Sequence, residues 1–134
     1  MIPSFRILLV DRHDHFRRLI SSILHEEPGL HVVGEASDGL EAVQKTEELK
    51  PDLILLDVVL PNLNGIEAAR QILKAVPKPK VLFLTQEFEL EVVREALKTG
   101  ALGYVLKANV VMELLEAVAA VTSGKRFLSS GIPP

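Results

Sequence analysis

Short apolar runs recur along the chain, and four of them stop at a residue with chemistry to offer. Ile7–Val10 ends at Asp11, Leu53–Leu56 at Asp57, Val81–Leu84 at Thr85, and Tyr104–Leu106 at Lys107. Continuous apolar runs of this length suit strands buried on both faces, as in a parallel sheet covered by helices. Between them the apolar positions change to helical spacing. Phe16, Leu19, Ile20, Ile23 and Leu24 mark a first helix stopped by Pro28-Gly29, and His31–Ala36 marks a second strand. Ala42, Val43, Thr46 and Leu49 place a helix over Gly39–Leu49, ending before Pro51. A turn-rich loop, Pro61–Gly65, leads to a third helix through Ile66, Ala69, Ile72, Leu73 and Val76, closed by Pro77 and Pro79. Glu87–Thr99 reads as a fourth helix ended by Gly100. A fifth, capped by Asn109, turns Val111, Leu114, Leu115, Val118 and Val121 inward.

Five alternating βα units imply right-handed crossovers and an α/β fold, a doubly wound five-stranded parallel sheet flanked by five helices. In such sheets the carboxyl ends of the strands converge on one edge, where ligands bind. Two carboxylates, a hydroxyl and an amine would meet in that crevice, which points to phosphoryl chemistry. The totals narrow the setting. At 134 residues, 48% apolar and 25% charged, the chain is one globular domain with enough core to fold without staples. It has no cysteine, so disulfides and thiolate metal sites are excluded and a cytoplasmic location fits. A net charge of -3 argues against nucleic-acid contact within these residues. No apolar stretch reaches membrane-spanning length, and the N-terminus does not read as a signal peptide.

The loop Leu55-Leu56-Asp57-Val58-Val59-Leu60-Pro61-Asn62-Leu63-Asn64-Gly65 resembles the phosphorylation loop of response regulator receiver domains, and Thr85 and Gly103-Tyr104-Val105-Leu106-Lys107 fall at that family's other two marks. Ala36-Ser37-Asp38-Gly39-Leu40-Glu41-Ala42, Leu114-Leu115-Glu116-Ala117-Val118 and Ser123-Gly124-Lys125-Arg126-Phe127-Leu128-Ser129 are similar to its NarL/FixJ (LuxR-type) subfamily. The resemblance covers nearly the whole chain. It implies the flavodoxin-like (CheY-like) strand order 2-1-3-4-5. It also implies a two-component phosphorelay switch rather than an enzyme. In that reading Asp57 accepts a phosphoryl group from a sensor histidine kinase. A magnesium ion sits on Asp11, Asp57 and the backbone carbonyl of Val59. Lys107 and Thr85 contact the phosphoryl oxygens, and Tyr104 relays the change to the face formed by the fourth helix and fifth strand. The resemblance further implies a weak homodimer, formed through that face or through the first and fifth helices. Residues 1–124 would be the receiver and 125–134 the start of a linker to a C-terminal helix-turn-helix domain that regulates transcription, the tail Ser123–Pro134 reading as a loop with a short extended piece.

One departure from the pattern is large. Receivers generally carry two acidic residues after the first strand, the second a direct metal ligand, and here the pair reads Asp11-Arg12. Opposite unit charges ~4 Å apart interact by about 4 kcal/mol at an effective dielectric near 20, enough to alter metal affinity strongly. Arg12 is expected to approach Asp57 and form a charge-assisted, bidentate pair. This supports an alternative reading as a pseudo-receiver, an interaction module that works without phosphorylation. Asp14, the other candidate for the lost ligand, reads instead as the cap of the first helix. Gln86 stands where the family usually has a small residue, and would obstruct phosphodonors or orient a water. A phosphatase using Asp57 would need an acid/base group two positions on, and Val59 cannot serve. The four histidines form no metal-ligand set, and Glu87, Glu89, Glu91 and Glu95 read as a solvated helix face.

Overall fold

Neighbouring residues of each central strand face opposite sides of one sheet, and both sides are apolar. The computed structural model describes residues 3–133. Its strands are β1 (Phe5–Val10), β2 (Leu30–Ala36), β3 (Leu53–Leu56), β4 (Lys80–Thr85), β5 (Gly103–Leu106) and β6 (Phe127–Leu128). Its helices are α1 (Asp14–Leu24), α2 (Gly39–Leu49), α3 (Gly65–Ile72), α4 (Leu90–Lys98) and α5 (Val110–Thr122), with a 3-10 turn at Lys107–Asn109. All neighbours pair in parallel, in the order β2-β1-β3-β4-β5-β6. Leu8, Val10, Ile54, Leu56, Val81, Phe83 and Tyr104 enter one apolar cluster with residues of α2, α3 and α4. Ile7, Leu9, Leu53, Leu55, Leu82, Leu84 and Val105 enter the other, with α1 and α5. Each fully buried aliphatic or aromatic side chain contributes about 1.5–3 kcal/mol, so unbroken apolar runs are what a sheet covered on both faces requires.

Several expectations from the sequence need correction. The sheet has a sixth strand, because β5 leaves a row of unpaired backbone groups on its outer edge and the segment read as a linker pairs with them. The third helix stops at Ile72, not Val76: Pro77 disfavours helical geometry in the residue before it, and the chain tightens through Lys74 N–H to Gln71 O and Ala75 N–H to Ile72 O. The fourth begins at Leu90, not Glu87, because the Glu87 amide and carbonyl are engaged elsewhere, as described below. Glu87 and Glu89 therefore lie before the helix, while Glu95 pairs with Arg70 at 3.1 Å. The fifth helix buries Leu114, Val118 and Val121 and packs Leu115 against them as expected, but it leaves Val111 70% exposed and turns Val110 and Ala117 inward as well. Its cap residue Asn109 makes no side-chain cap bond, and neither does His13, which takes the capping position expected of Asp14. Asp14 is instead the first helical residue and pairs with Arg17 and Arg18 at 3.0 and 3.3 Å.

The loop between β3 and α3 is held by close backbone approach. Asn64 caps α3 by accepting from Glu67 N–H at 2.9 Å. Asp38 caps α2 through Glu41 N–H at 2.8 Å and uses its other oxygen to accept from Asn62 Nδ2 at 3.0 Å. Gly65 N–H donates to Val58 O at 2.7 Å, and a Cβ on Gly65 would lie 1.8 Å from the Asp57 carbonyl oxygen. Only glycine lets α3 start this close to Asp57. Gly65→Ala should therefore cost about 1–3 kcal/mol through overpacking against backbone that cannot yield. Urea denaturation checks this, and a midpoint within error of wild type would refute it.

Candidate functional site

Three strand ends from distant parts of the chain meet on one ammonium. Lys107 Nζ lies 2.7 Å from Asp11 Oδ2 and 2.9 Å from Asp57 Oδ2. The three side chains are 11%, 5% and 7% exposed respectively, so they hold one another in a medium poorer in water than the surface. The hydrogen bond goes to Asp57, whereas Asp11 Oδ2 stands within ion-pair distance but off the hydrogen-bonding direction, leaving it buried with no hydrogen-bond partner. The ion-pair distance and the missing hydrogen bond are compatible, since attraction between charges depends little on angle. Two carboxylates against one ammonium leave the cluster with a surplus negative charge.

Each member is positioned locally. Asp11 Oδ1 accepts from His13 N–H at 2.8 Å, folding the strand end back on itself. Asp57 Oδ1 accepts only a long bond, 3.3 Å, from Val59 N–H. Arg17 ties the region together: it donates to the Asp11 carbonyl, to Glu35 at 2.8 Å and to Asp14 at 3.0 Å. The Lys107 ammonium also sits 4.3 Å from the centroid of the Phe16 ring, which attracts cations through its π face. Sequence reasoning missed both roles. Phe16 was legible only as a core position, and Arg17 lies one residue further round the same turn of α1.

Thr85 is fully buried at the end of β4, where its hydroxyl accepts from Glu87 N–H at 3.3 Å. Tyr104 is also fully buried, tilted against Phe83, and its hydroxyl donates to Glu87 O at 2.7 Å. Burial pushes that hydroxyl far above its ordinary range, and the charges of Glu87 and Asp57 add to the effect, so it stays a donor. Arg12, His13, Asp57, Val59, Thr85, Gln86, Glu87 and Lys107 line one cleft of about 140 Å³. A larger hollow of about 350 Å³ lies between the end of α2 and the Ile72–Pro79 turn, but it contains none of these groups.

Arg12 does not behave as expected. It is exposed, and its Nε donates to His13 Nε2 at 3.2 Å instead of pairing with Asp57. Lys107 already occupies the Asp57 carboxylate, and a guanidinium at a strand end gains more by remaining hydrated on the rim. The pseudo-receiver reading loses the pairing it was built on. All four histidines are exposed, as expected.

The donor chemistry fits a small hard cation. Magnesium takes oxygen ligands, keeps several waters and is commonly held by one or two carboxylates. The orphaned Asp11 Oδ2 and the lightly held Asp57 Oδ1 are acceptors of that kind, with Val59 on the same cleft wall. Among the described residues no three His, Cys, Asp or Glu gather as a metal cluster, so any such set is sparse. No helix among them is long and apolar enough to cross a membrane.

Comparison with known proteins agrees with this geometry. Residues 7–119 match the response regulator receiver domain. A crystal structure of a two-component response regulator of the LuxR family from Aurantimonas sp. SI85-9A1 superposes with a TM-score of 0.91 at 35% identity, over 96% of this chain and 92% of that one. The signal receiver domain of the putative response regulator NarL from Mycobacterium tuberculosis gives 0.85 at 30% identity, over 92% and 100%. The transcriptional regulatory protein LiaR of Bacillus subtilis (strain 168) is 38% identical over 127 residues, 95% of this chain and 60% of LiaR. The chain belongs to the response regulator receiver family, in its NarL/FixJ (LuxR-type) branch, and is a receiver domain related to the transcriptional regulators of two-component systems. It spans about 60% of the length of the curated relatives it matches.

The charge balance of the cluster makes opposite predictions for its two halves. Lys107→Met leaves two buried carboxylates facing each other and should cost about 3 kcal/mol. Asp57→Asn removes the surplus charge, leaves the Lys107–Asp11 pair balanced and should keep or raise the melting temperature. Thermal denaturation of the three proteins side by side tests this; destabilisation of equal size in both variants would refute the account.

Proposed function

We propose that Asp57 is the phosphoacceptor of a two-component phosphorelay, and that Lys107, Thr85 and Tyr104 convert its phosphorylation into a change of surface. The observation that carries this reading is the bridging of Asp11 and Asp57 by Lys107 at 2.7 and 2.9 Å, with Asp57 and Lys107 on the wall of a cleft open to a donor. Asp57 Oδ1, the oxygen not held by Lys107, attacks phosphorus on the phosphohistidine of a sensor kinase. The phosphorus–nitrogen bond breaks, the imidazole leaves with its electron pair and takes up a proton, and an acyl phosphate forms. Lys107 turns from the carboxylate to a phosphoryl oxygen as a point charge. Asp11, Asp57 and the Val59 carbonyl would hold magnesium, which supplies neutralising charge for the phosphoryl oxygens when bound. Gln86 and Arg12, on the cleft rim, limit which donors enter and how a water approaches.

The switch follows from hydrogen bonds already present. When the Thr85 hydroxyl turns to a phosphoryl oxygen it gives up the Glu87 amide, and Glu87 is also the residue whose carbonyl holds the Tyr104 hydroxyl. One loop thus senses the site and restrains the aromatic ring. The output proposed is transcriptional, through a C-terminal helix-turn-helix domain, with weak self-association of the receiver to match paired DNA half-sites. Phe88 and Leu90, exposed by α4, and Val111 and Met112, exposed on α5, offer apolar surface for such contacts.

Beryllofluoride, a phosphoryl mimic, tests the site directly. Fluorine NMR should detect a bound species in wild type when magnesium is present and none in Asp57→Asn. Arg12→Asp should raise magnesium affinity on the order of tenfold, less than the unscreened charge interaction allows, because Arg12 is hydrated. Binding that survives Asp57→Asn would overturn the assignment of the phosphoacceptor. Equal magnesium affinities in wild type and Arg12→Asp would show that Arg12 does not control the cation.

A further inference from the structure

The outer edge of β5 is covered along its length by residues 127–132. Phe127 N–H donates to Leu102 O at 3.0 Å, Ser129 N–H to Tyr104 O at 2.8 Å, and Leu106 N–H to Ser129 Oγ at 3.1 Å. Ser129 is only 1% exposed. Its hydroxyl also accepts from Asn109 Nδ2 at 3.0 Å and donates to Glu113 Oε1, while Glu113 Oε2 accepts from Ser130 N–H at 2.9 Å. Asn109 Nδ2 reaches Ser130 O as well, at 3.1 Å. Beyond these bonds Ile132 enters the apolar cluster that contains Tyr104. A buried hydroxyl with its bonds satisfied is costly to strip one bond at a time, so this network holds or releases as a unit.

Its anchor points bracket the proposed phosphoryl site. Leu106 precedes Lys107, Asn109 follows it within the same 3-10 turn, and Tyr104 is the switch residue two positions before Leu106. We propose that residues 127–132 form a strap, docked while Lys107 bridges Asp11 and Asp57 and loosened when Lys107 is drawn onto a phosphoryl group. This inference rests on Asp57 being the phosphoacceptor. Movement of Lys107 displaces its turn, and the turn carries Asn109 and the Leu106 amide away from Ser129 Oγ. The strap then keeps its bonds to Glu113, its backbone bonds to Leu102 and Tyr104 and the packing of Ile132, and loses the rest of the Ser129 network. Because coupling free energies are reciprocal, loosening the strap favours phosphoryl binding by the same factor. The strap is the C-terminal segment of the receiver, so its release would be felt by a C-terminal domain of the kind proposed above.

Amide hydrogen exchange in the 134-residue chain reads the strap, with Ser129 and Ser130 as reporters and Leu8 in β1 as a reference for global opening. Beryllofluoride with magnesium should speed exchange at Ser129 and Ser130 about fivefold or more while Leu8 holds its rate. Lys107→Met should act in the same direction with no mimic present, after correction for Leu8. Glu113→Gln, which keeps the side chain's size, should tighten beryllofluoride binding by a similar factor. If the mimic binds but the strap amides and the Glu113→Gln affinity stay at wild-type values, the strap inference falls and the phosphoacceptor reading stands. If wild type fails to bind the mimic, that reading falls, and Lys107→Met decides the strap: unchanged exchange at Ser129 and Ser130 overturns it.

Discussion

Two carboxylates buried at adjacent strand ends must be neutralised, and the single ammonium of Lys107 does it. Burying a lone carboxylate is costly, and two facing each other are worse, so Asp11 and Asp57 tolerate their depth only because Lys107 stands between them. The arrangement constrains much else. It needs β1, β3 and β5 parallel and in register, so that their ends reach the same height. It needs Phe16 and Arg17 on the facing helix, the first beside the ammonium and the second gripping the Asp11 backbone. It also leaves one negative charge unmatched, which is what a site awaiting a cation should have.

The packing that delivers this register is simple in principle. Alternate residues of every central strand feed two apolar clusters, so neither face of the sheet can turn to solvent and the strands cannot slip by one residue. Precision at the site comes from the loops. Gly65 lets α3 abut the Asp57 backbone, and Asp38 and Asn62 join the neighbouring loop to it. The β3–α3 loop is thereby held from two sides while Asp57 Oδ1 stays lightly bonded.

Rigidity on one side is matched by exchangeable bonds on the other. Glu87 links the hydroxyls of Thr85 and Tyr104 through its amide and carbonyl, and the Ser129 network links the turn after β5 to the strand beyond it. Both are made of hydrogen bonds that can be traded for others of similar strength, whereas the apolar clusters beneath them cannot be rearranged without loss of burial. A change at the cleft therefore has two low-cost routes outward, the β4–α4 loop and the strap.

The sequence alone determined the alternation of strands and helices, the two-sided burial of the sheet and the gathering of Asp11, Asp57, Thr85 and Lys107 at one edge. Those features follow from periodicity and from the geometry of parallel strands, which are local properties or consequences of topology. Contacts between residues distant in sequence were decided only by the tertiary structure. Sequence order pairs Arg12 with Asp57 because it follows Asp11, yet Lys107, 50 residues from Asp57, takes that place and leaves Arg12 on the rim with His13. The position of Asn109 predicts a helix cap, but its side chain bonds Ser129 instead. The tail reads as the start of a linker with a short extended piece, and nothing local says what that piece pairs with. It becomes β6 because the edge of β5 offers donors and acceptors that only the folded sheet brings into line.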